Sequence, residues 1–544
     1  MRKLLLLSAI VAIMASCSDP KPTATASYDV IPAPLTVAAD SAAKPFILSA
    51  STVIAYPKGD SALLRNARLL AGYIRTLTGA SLKITDRAAS ANAISLLASL
   101  DAPNPEAYSL AVDSKLVTIN GASPAGNFYG IQTLRKAMPE SGDHNVLLPA
   151  VTISDSPRFA YRGTHLDVSR HFFSPDSVKI YIDILAMHNV NNLHWHLSDD
   201  QGWRIQLDSY PELTEKGSTR VGTCIGMQLS TCDSIPYGGF YTKEQVKDII
   251  DYAAERYINI IPEIDMPGHM LGALSAYPEL GCEGGPYQLW TRWGVSEKVL
   301  CAGNDSTYAF IDGVLTELAS IFPSEYIHIG GDECPKVKWE KCPKCQAKIK
   351  QLGLKDDAHS SAEQKLQTHF MSHACNTLAT MGRRAIGWDE IIEGGFSPGV
   401  IVMSWRGTDG ATKAVEAGHD AILTPGGYCY FDYVQADSTF ETLLPWAKPI
   451  TIDHVYSLEP IDSAYTPEQA SHILGCQANL WTELIPNMRY AQAKLLPRLA
   501  ALCEVQWSAP EKRDSASFHS RLPRLIKLYD AEGYNHFDAA NARQ

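Results

Sequence analysis

The spacing of hydrophobic positions changes along the chain, and the change marks its domains. Between residues 28 and 155, short strand-like runs at Val53 to Ala55 and at Tyr108, Leu110 and Val112 alternate with helical runs at Ser61 to Leu77 and Pro124 to Ala137. This pattern predicts a small α+β domain over 28–155 with no evident chemistry of its own. Asp155-Ser156-Pro157 reads as a joint, because proline stops a helix and keeps the residue before it extended.

Past the joint the pattern becomes strand, loop, helix, repeated. Apolar or β-rich segments occur at Gly163 to Val168, Asn192 to Leu197, Ile258 to Ile264, Tyr326 to Ile329, Arg384 to Trp388, Val400 to Trp405, Asp420 to Thr424 and Gly475 to Trp481. Amphipathic helices lie between most of them. Ser174-Pro175 starts one that buries Val178, Tyr181, Ile182 and Leu185, and Thr242 with Gln245 forms a capping box before another. Eight strands alternating with helices predict a parallel (β/α)8 barrel, a TIM barrel in the α/β class, over 156–510. Residues 511–544 read as a C-terminal helical tail packed on the barrel. A doubly wound sheet is disfavoured, since no GxGxxG follows a strand.

Active sites of such barrels lie at the C-terminal ends of the strands. Here those ends carry Asp167 with Arg170, His194-Trp195-His196 with Asp199 and Asp200, Glu263 with Asp265 and His269, and Asp332-Glu333. The later ones carry Trp388-Asp389-Glu390, Trp405-Arg406, Tyr430 with Asp432, and Trp481 with Glu483. Indoles and carboxylates converging on one mouth suit a carbohydrate, whose C-H faces stack on aromatic rings while acids and arginine bind hydroxyls. Asp332-Glu333 stands out, because the glycine pair before it breaks a strand to present two adjacent acids. Like charges so close disfavour joint ionisation, so one carboxyl is expected to stay protonated, as a general acid requires.

Composition narrows the partners. With 47 basic and 59 acidic side chains the net charge is -12, and no basic run follows the N-terminus, which argues against nucleic acid. Residues 1–16 carry Arg2 and Lys3 before the apolar run Leu4 to Met14, the pattern of a secretory signal peptide too short to span a membrane. Met14-Ala15-Ser16-Cys17 resembles a loosened bacterial lipobox, which makes Cys17 the expected lipid-attachment residue and 17–27 a polar tether. The expected location is therefore a membrane-anchored lipoprotein of the periplasm or cell surface, the alternative being a soluble exported protein. Of twelve cysteines, Cys224 with Cys232 and Cys282 with Cys301 are spaced for disulfides. Cys334, Cys342 and Cys345 form part of a zinc-knuckle pattern that lacks a fourth ligand at the usual spacing, so disulfides and no metal are expected.

Several motifs together resemble the family-20 glycoside hydrolases, the β-N-acetylhexosaminidases. They are Arg162-Gly163 with Asp167-Val168-Ser169-Arg170-His171, His194 to Gln201, Pro262 to His269, and His-x-Gly-Gly-Asp-Glu ending at Glu333. The resemblance covers nearly all of the chain after the leader. It implies an exo-acting, retaining glycosidase in which the substrate's own 2-acetamido oxygen is the nucleophile and an oxazolinium ion the intermediate. It further implies Glu333 as general acid and base, Asp332 as acceptor of the acetamido N–H, and Tyr430 as donor to the acetamido oxygen. Arg162, Asp432 and Glu483 are expected to bind sugar hydroxyls, and Trp388, Trp405 and Trp481 to wall the pocket. Asp199, Asp265 and His269 are expected to support the acid pair. No cofactor is implied, and the partner is a glycan ending in N-acetylhexosamine.

Two rivals use parts of the same pattern. A surface glycan-binding lipoprotein without catalysis would keep the tryptophans but have no reason to keep both acids. A metal-dependent amidohydrolase would use His194-Trp195-His196, but that fold places the motif on its first strand and needs histidines on middle strands, where this chain has Trp388 and Trp405.

Overall fold

The computed structural model describes residues 24–538 except 143 and 437–447. The predicted signal peptide, the predicted lipid-attachment residue Cys17 and the first part of the predicted tether lie outside the described residues. The tether's end differs from expectation, because Ala24–Thr25 already pairs in parallel with Val146 and Leu147, and Ala26 is buried. Backbone pairing rather than composition decides the last residues before the first domain.

The N-terminal domain is a seven-stranded mixed sheet crossed by two helices, Ser61–Thr78 and Pro124–Ala137. Asp60 and Ser123 cap them, each side chain accepting from a backbone N–H of the first turn. The second helix is buried along nearly all its length, because it lies between its own sheet and the next domain. Tyr129 on this helix meets Trp507 edge-on at 5.2 Å between ring centroids.

Eight strands then close into one parallel barrel: β1 Tyr161–Asp167, β2 Asn192–His196, β3 Asn259–Glu263, β4 Tyr326–His328, β5 Arg384–Trp388, β6 Ile401–Ser404, β7 Ala421–Leu423 and β8 Ile473–Ala478. β8 pairs back onto β1, Tyr161 opposite Gly475. Tyr161, Ile261, Ile386, Ile401, Met403 and Ile422 pack together inside the barrel, so the interior is a core and the site sits above it. On β2, Leu193 and Trp195 join the larger core outside the barrel, and His194 and His196 alternate with them onto the opposite face. No described helix is long and apolar enough to cross a membrane.

The joint between the domains is a buried acid. The Asp155 carboxylate accepts from Tyr108 Oη at 2.7 Å, Trp507 Nε1 at 3.0 Å, Leu35 N at 3.0 Å and Ser156 N at 2.9 Å. Burial pushes it up to about 6 despite these donors. The C-terminal helix Ser515–Glu532 packs on both domains rather than on the barrel alone. Glu532 pairs with Arg135 of the N-terminal domain at 2.6 Å, and Arg521 with Glu504 of the barrel at 2.7 Å.

Arg162 is a correction. It stands near the start of β1, at the end of the barrel opposite the mouth. Its guanidinium donates to Glu106 Oε2 at 2.7 Å and Oε1 at 3.0 Å, to Tyr129 Oη at 3.0 Å, and to the carbonyls of Phe159 and Asn189 at 2.8 Å. All five N–H donors are spent, three of them on the N-terminal domain and two on barrel carbonyls, and none is left for a sugar.

The expected disulfides are also corrected: every cysteine among the described residues is a free thiol. Cys224 and Cys232 stand opposite each other on a short hairpin without a bond. Cys282 and Cys301 gather with Cys342 and Cys345, while Cys334 is not in that group.

Replacing Arg162 by alanine strands the Glu106 carboxylate, and a broken buried ion pair costs about 3–5 kcal/mol. Denaturant unfolding of Arg162→Ala should show that loss, while the folded fraction keeps its ligand affinity. Unchanged stability combined with lost affinity would return Arg162 to the binding site.

Candidate active site

β4 ends at His328, and the next residues make a turn that only glycine accommodates at two positions. Gly330 has φ +64° and Gly331 φ +104°. A Cβ on Gly330 would meet Asp265 Oδ1 at 1.7 Å, and one on Gly331 would meet Ile391 Cγ2 at 2.2 Å. Gly331 N–H donates to Asp265 Oδ1 at 3.0 Å, and its carbonyl accepts from Gln367 Nε2 at 2.7 Å. The turn delivers Asp332 and Glu333 into different surroundings. Asp332 is 8% exposed, and its Oδ1 has no hydrogen-bond partner among the described residues; the Glu333 side chain is 41% exposed.

Behind them runs a chain of buried groups of alternating charge. His269 Nε2 lies 3.4 Å from Glu333 Oε2, and its Nδ1 lies 3.1 Å from Asp199 Oδ1 and 3.5 Å from Asp200 Oδ2. Asp199 also meets Arg170 Nη2 and His196 Nε2, both at 2.9 Å. His196 Nδ1 continues to Glu263 Oε2 at 2.5 Å, and Glu263 Oε1 accepts from Trp388 Nε1 at 2.9 Å.

This chain sets the protonation of the acid pair. Burial alone would lower His269, but Asp199, Asp200 and Glu333 raise it well above the ordinary imidazole range. Burial also disfavours the Glu333 carboxylate, yet His269 and then Arg170 pull its pKa below the usual value. For Asp332 burial acts first and the Asp265 carboxyl second, and together they push it well above the carboxylate range. Within the pair these directions favour the proton on Asp332 and not on the general-acid candidate. The two residues share a charge problem that burial and His269 resolve in opposite directions.

The cavity in front of the pair has a volume of about 450 Å³ and is lined by Arg170, Asp332, Glu333, Trp405, Tyr430, Asp432, Trp481 and Glu483, with Trp293, Gly294, Val295 and Tyr433. Tyr430 and Trp405 stack at 6.0 Å with 17° between their planes. Burial keeps the Tyr430 phenol protonated, so it is a hydrogen-bond donor. Asp432 is pushed up to about 8 by burial, with Glu483 adding to the effect, and Asp432 Oδ1 has no partner among the described residues. These unmet groups suit hydroxyls, which both donate and accept.

Trp388 is not among the residues that line the cavity: it is 1% exposed and packs on His328 and on Trp481, which does line it. Asp199, Asp265 and His269 stand behind the acid pair. Arg170 was missed as a binding residue although its motif was read. Its Nε donates to Gln201 at 3.0 Å and Nη1 to Asp167 at 3.2 Å, and with Nη2 on Asp199 two of its N–H groups remain to face the cavity.

Trp293 to Val295 were missed because their loop has no periodic pattern. The Thr223 to Gly239 insert does not line the cavity but supports that loop, through Cys224 N to Thr291 O at 2.5 Å and Trp293 Nε1 to Gly226 O at 3.0 Å. His194 and His196, the pair that suggested a metal, are fully buried against Glu263, whereas a catalytic metal needs a position open to substrate.

Comparison with known proteins agrees with this geometry. Residues 159–510 match the catalytic domain of glycosyl hydrolase family 20, and residues 27–156 match domain 2 of the same family. A β-hexosaminidase of Porphyromonas gingivalis is 42% identical over 479 residues, 86% of this chain and 60% of that protein. The chain thus spans less than two thirds of that relative's length. The structure of the β-N-acetylhexosaminidase from Streptomyces coelicolor superposes with a TM-score of 0.81 at 32% identity, covering 96% of this chain and 99% of that one. A mutant Streptomyces plicatus β-hexosaminidase in complex with product, GlcNAc, gives 0.80 at 32% identity over 94% of this chain and 96% of its own.

The turn itself is open to test. Gly330→Ala must push Asp265 away and hold alanine at positive φ, so thermal unfolding should register a loss of about 1–3 kcal/mol. Wild-type stability in this variant would mean that the turn is not constrained as described.

Proposed function

Because the chain belongs to glycosyl hydrolase family 20, we propose that it removes terminal, non-reducing β-linked N-acetylhexosamine from glycans, with retention and with the substrate's acetamido group as nucleophile. The observation that carries this reading is the buried Asp332 carboxyl, whose Oδ1 has no partner in a cavity of one-sugar size that also presents the Tyr430 hydroxyl. An acetamido group suits both: its N–H satisfies Asp332 Oδ1, and its oxygen accepts from the Tyr430 hydroxyl. Held between them, that oxygen is aimed at the anomeric carbon and the entropy of attack is met on binding. The GlcNAc held as product by the related Streptomyces plicatus protein supports the same sugar class.

In this reading binding exchanges the proton preference of the pair. The acetamido N–H favours the Asp332 carboxylate, which then stabilises positive charge on the oxazolinium ring. The aglycone covers the exposed face of Glu333, and desolvation raises its pKa so that it arrives protonated beside the leaving oxygen. It protonates that oxygen as the C–O bond breaks, and the resulting carboxylate then takes a proton from the water that opens the oxazolinium ion. Arg170, with Asp432 and Glu483, holds the ring hydroxyls. Trp405 and Trp481 cover the sugar's apolar surfaces. Export and lipid attachment at Cys17 belong to the proposal and rest on the leader sequence alone.

Release of nitrophenol from an aryl β-N-acetylglucosaminide tests the activity; folded protein with no turnover between about pH 4 and 8 would exclude it. Glu333→Gln should lose about 10²–10⁴-fold on a chitobiose-like substrate with a poor leaving group and far less on the aryl glycoside. Asp332→Asn should damage both by about 10²–10³-fold, since it acts on the nucleophile rather than on the leaving group. Equal losses for Glu333→Gln on both substrates would remove it from the proton-donor role.

The pH profile has a definite sign. The His269 imidazolium favours the Glu333 carboxylate and lowers its pKa, so His269→Asn raises that pKa. The alkaline limb of kcat/KM on the poor-leaving-group substrate, set by loss of the Glu333 proton, should therefore move to higher pH while the maximum falls. A limb that stays in place would uncouple His269 from Glu333.

A further inference from the structure

Four cysteines from two different loops meet beside the active site. Cys282 and Cys301 belong to the connection after β3, and Cys342 and Cys345 to the connection after β4. Cys301 Sγ lies 3.7 Å from Cys342 Sγ and 3.6 Å from Cys345 Sγ, and Cys282 Sγ lies 3.9 Å from Cys345 Sγ. All four sulfurs fall within 4.8 Å of one another, and three of the residues are buried. A metal with Zn–S bonds of about 2.3 Å places the sulfurs of a regular tetrahedron about 3.8 Å apart.

The spacing also argues against two disulfides. A disulfide gives each sulfur one close neighbour, whereas Cys301 is nearly equidistant from two and Cys345 likewise. Cys342 occupies the N-cap position of helix Pro343–Leu352, and its side chain makes no capping hydrogen bond there. The two loops are pressed together at this point, since a Cβ on Gly303 would meet the Lys344 carbonyl carbon at 2.1 Å. The two ligands that the Cys342-x2-Cys345 pattern lacks are supplied by Cys282 and Cys301 from elsewhere in the chain.

We propose that Cys282, Cys301, Cys342 and Cys345 bind one zinc(II) ion as a tetrathiolate, the thiol protons passing to solvent as the ion binds. Four protein ligands leave no open position, so the ion is structural. It clips the loop that carries His269 and Trp293 to the loop that starts with Asp332-Glu333. Two hydrogen bonds extend the clip toward the mouth: Leu300 N to Pro267 O and Trp339 Nε1 to Leu300 O, both at 2.9 Å. The ion thus braces both sides of the acid pair without touching substrate. The assignment is independent of the glycosidase reading.

Elemental analysis of the purified full chain should give one zinc per chain, and denaturing mass spectrometry without reductant should give the mass of the fully reduced cluster. Protein produced with cobalt(II) should show the visible and charge-transfer bands of a tetrahedral cobalt thiolate. Cys342→Ser and Cys345→Ser should lose the metal and lower Tm, whereas Cys375→Ser, a buried thiol outside the cluster, should keep it. A metal-free wild type, whether with free thiols or lacking the four thiol hydrogens of two disulfides, overturns the proposal, as does iron in place of zinc. So does full zinc occupancy in the Cys342→Ser/Cys345→Ser double variant.

Discussion

The mouth of the barrel depends on one buried carboxylate, Asp199. Burial would raise its pKa, yet Arg170, His269 and His196 around it hold it well below the ordinary range. A buried charge costs several kcal/mol unless it is paired, and each contact near 4 Å returns up to about 4 kcal/mol at an effective dielectric near 20. With three cationic partners the balance favours ionisation. Each partner then does something outward. Arg170 faces the cavity, His269 faces Glu333, and His196 ties the group to Glu263 and so to the strands beneath. Asp199 therefore fixes at once how Arg170 faces the cavity and how Glu333 is charged.

That anchoring lets the backbone above it hold unfavourable shapes. His269 has φ +51° and Glu333 φ +44°, a region that costs a residue with a Cβ roughly 1–2 kcal/mol. These are the two residues that face each other across 3.4 Å. Strain of this kind persists only where surrounding structure over-determines it. Here the surroundings are the glycine turn locked onto Asp265 on one side and the Asp199 contacts on the other. The loops beyond are braced at the four-cysteine cluster, so the strained turns are held from below and from outside.

The barrel was legible because its eight strands each carry enough β-rich sequence to register, and because motif residues fall where those strands end. Polar residues also revealed the site directly. β2 alternates Leu193 and Trp195 with His194 and His196, and both faces are buried, so its polar face had to meet other polar groups rather than water. Arg162 shares a motif with the residues of the mouth but not their end of the strand. At about 3.3 Å per residue, five residues separate it from Asp167 by more than 15 Å, which puts it at the wrong end of the barrel. Arg170, three residues past the strand, brings a guanidinium to the cavity at the other end. Trp293 could not be read at all, and the cysteine cluster only as two separate pairs, since both arise from contacts between loops whose approach no local period encodes.

The protonation of the acid pair shows what sequence proximity does and does not determine. Adjacency alone says that two carboxyls cannot both ionise easily, and it says nothing about which keeps the proton. That choice is made by neighbours distant in sequence: Asp265 against Asp332, and His269 with Arg170 beside Glu333. The resting assignment is the reverse of what proton donation needs. It is nevertheless the assignment a ligand can reverse, because the unmet Asp332 oxygen asks for an N–H and the exposed face of Glu333 asks to be covered. A ligand offering only one of these leaves the pair half converted. On the proposed reading, a sugar with both a 2-acetamido group and a group beyond its glycosidic oxygen converts both acids together, and discrimination between substrates then rests on the protonation state as well as on the shape of the cavity.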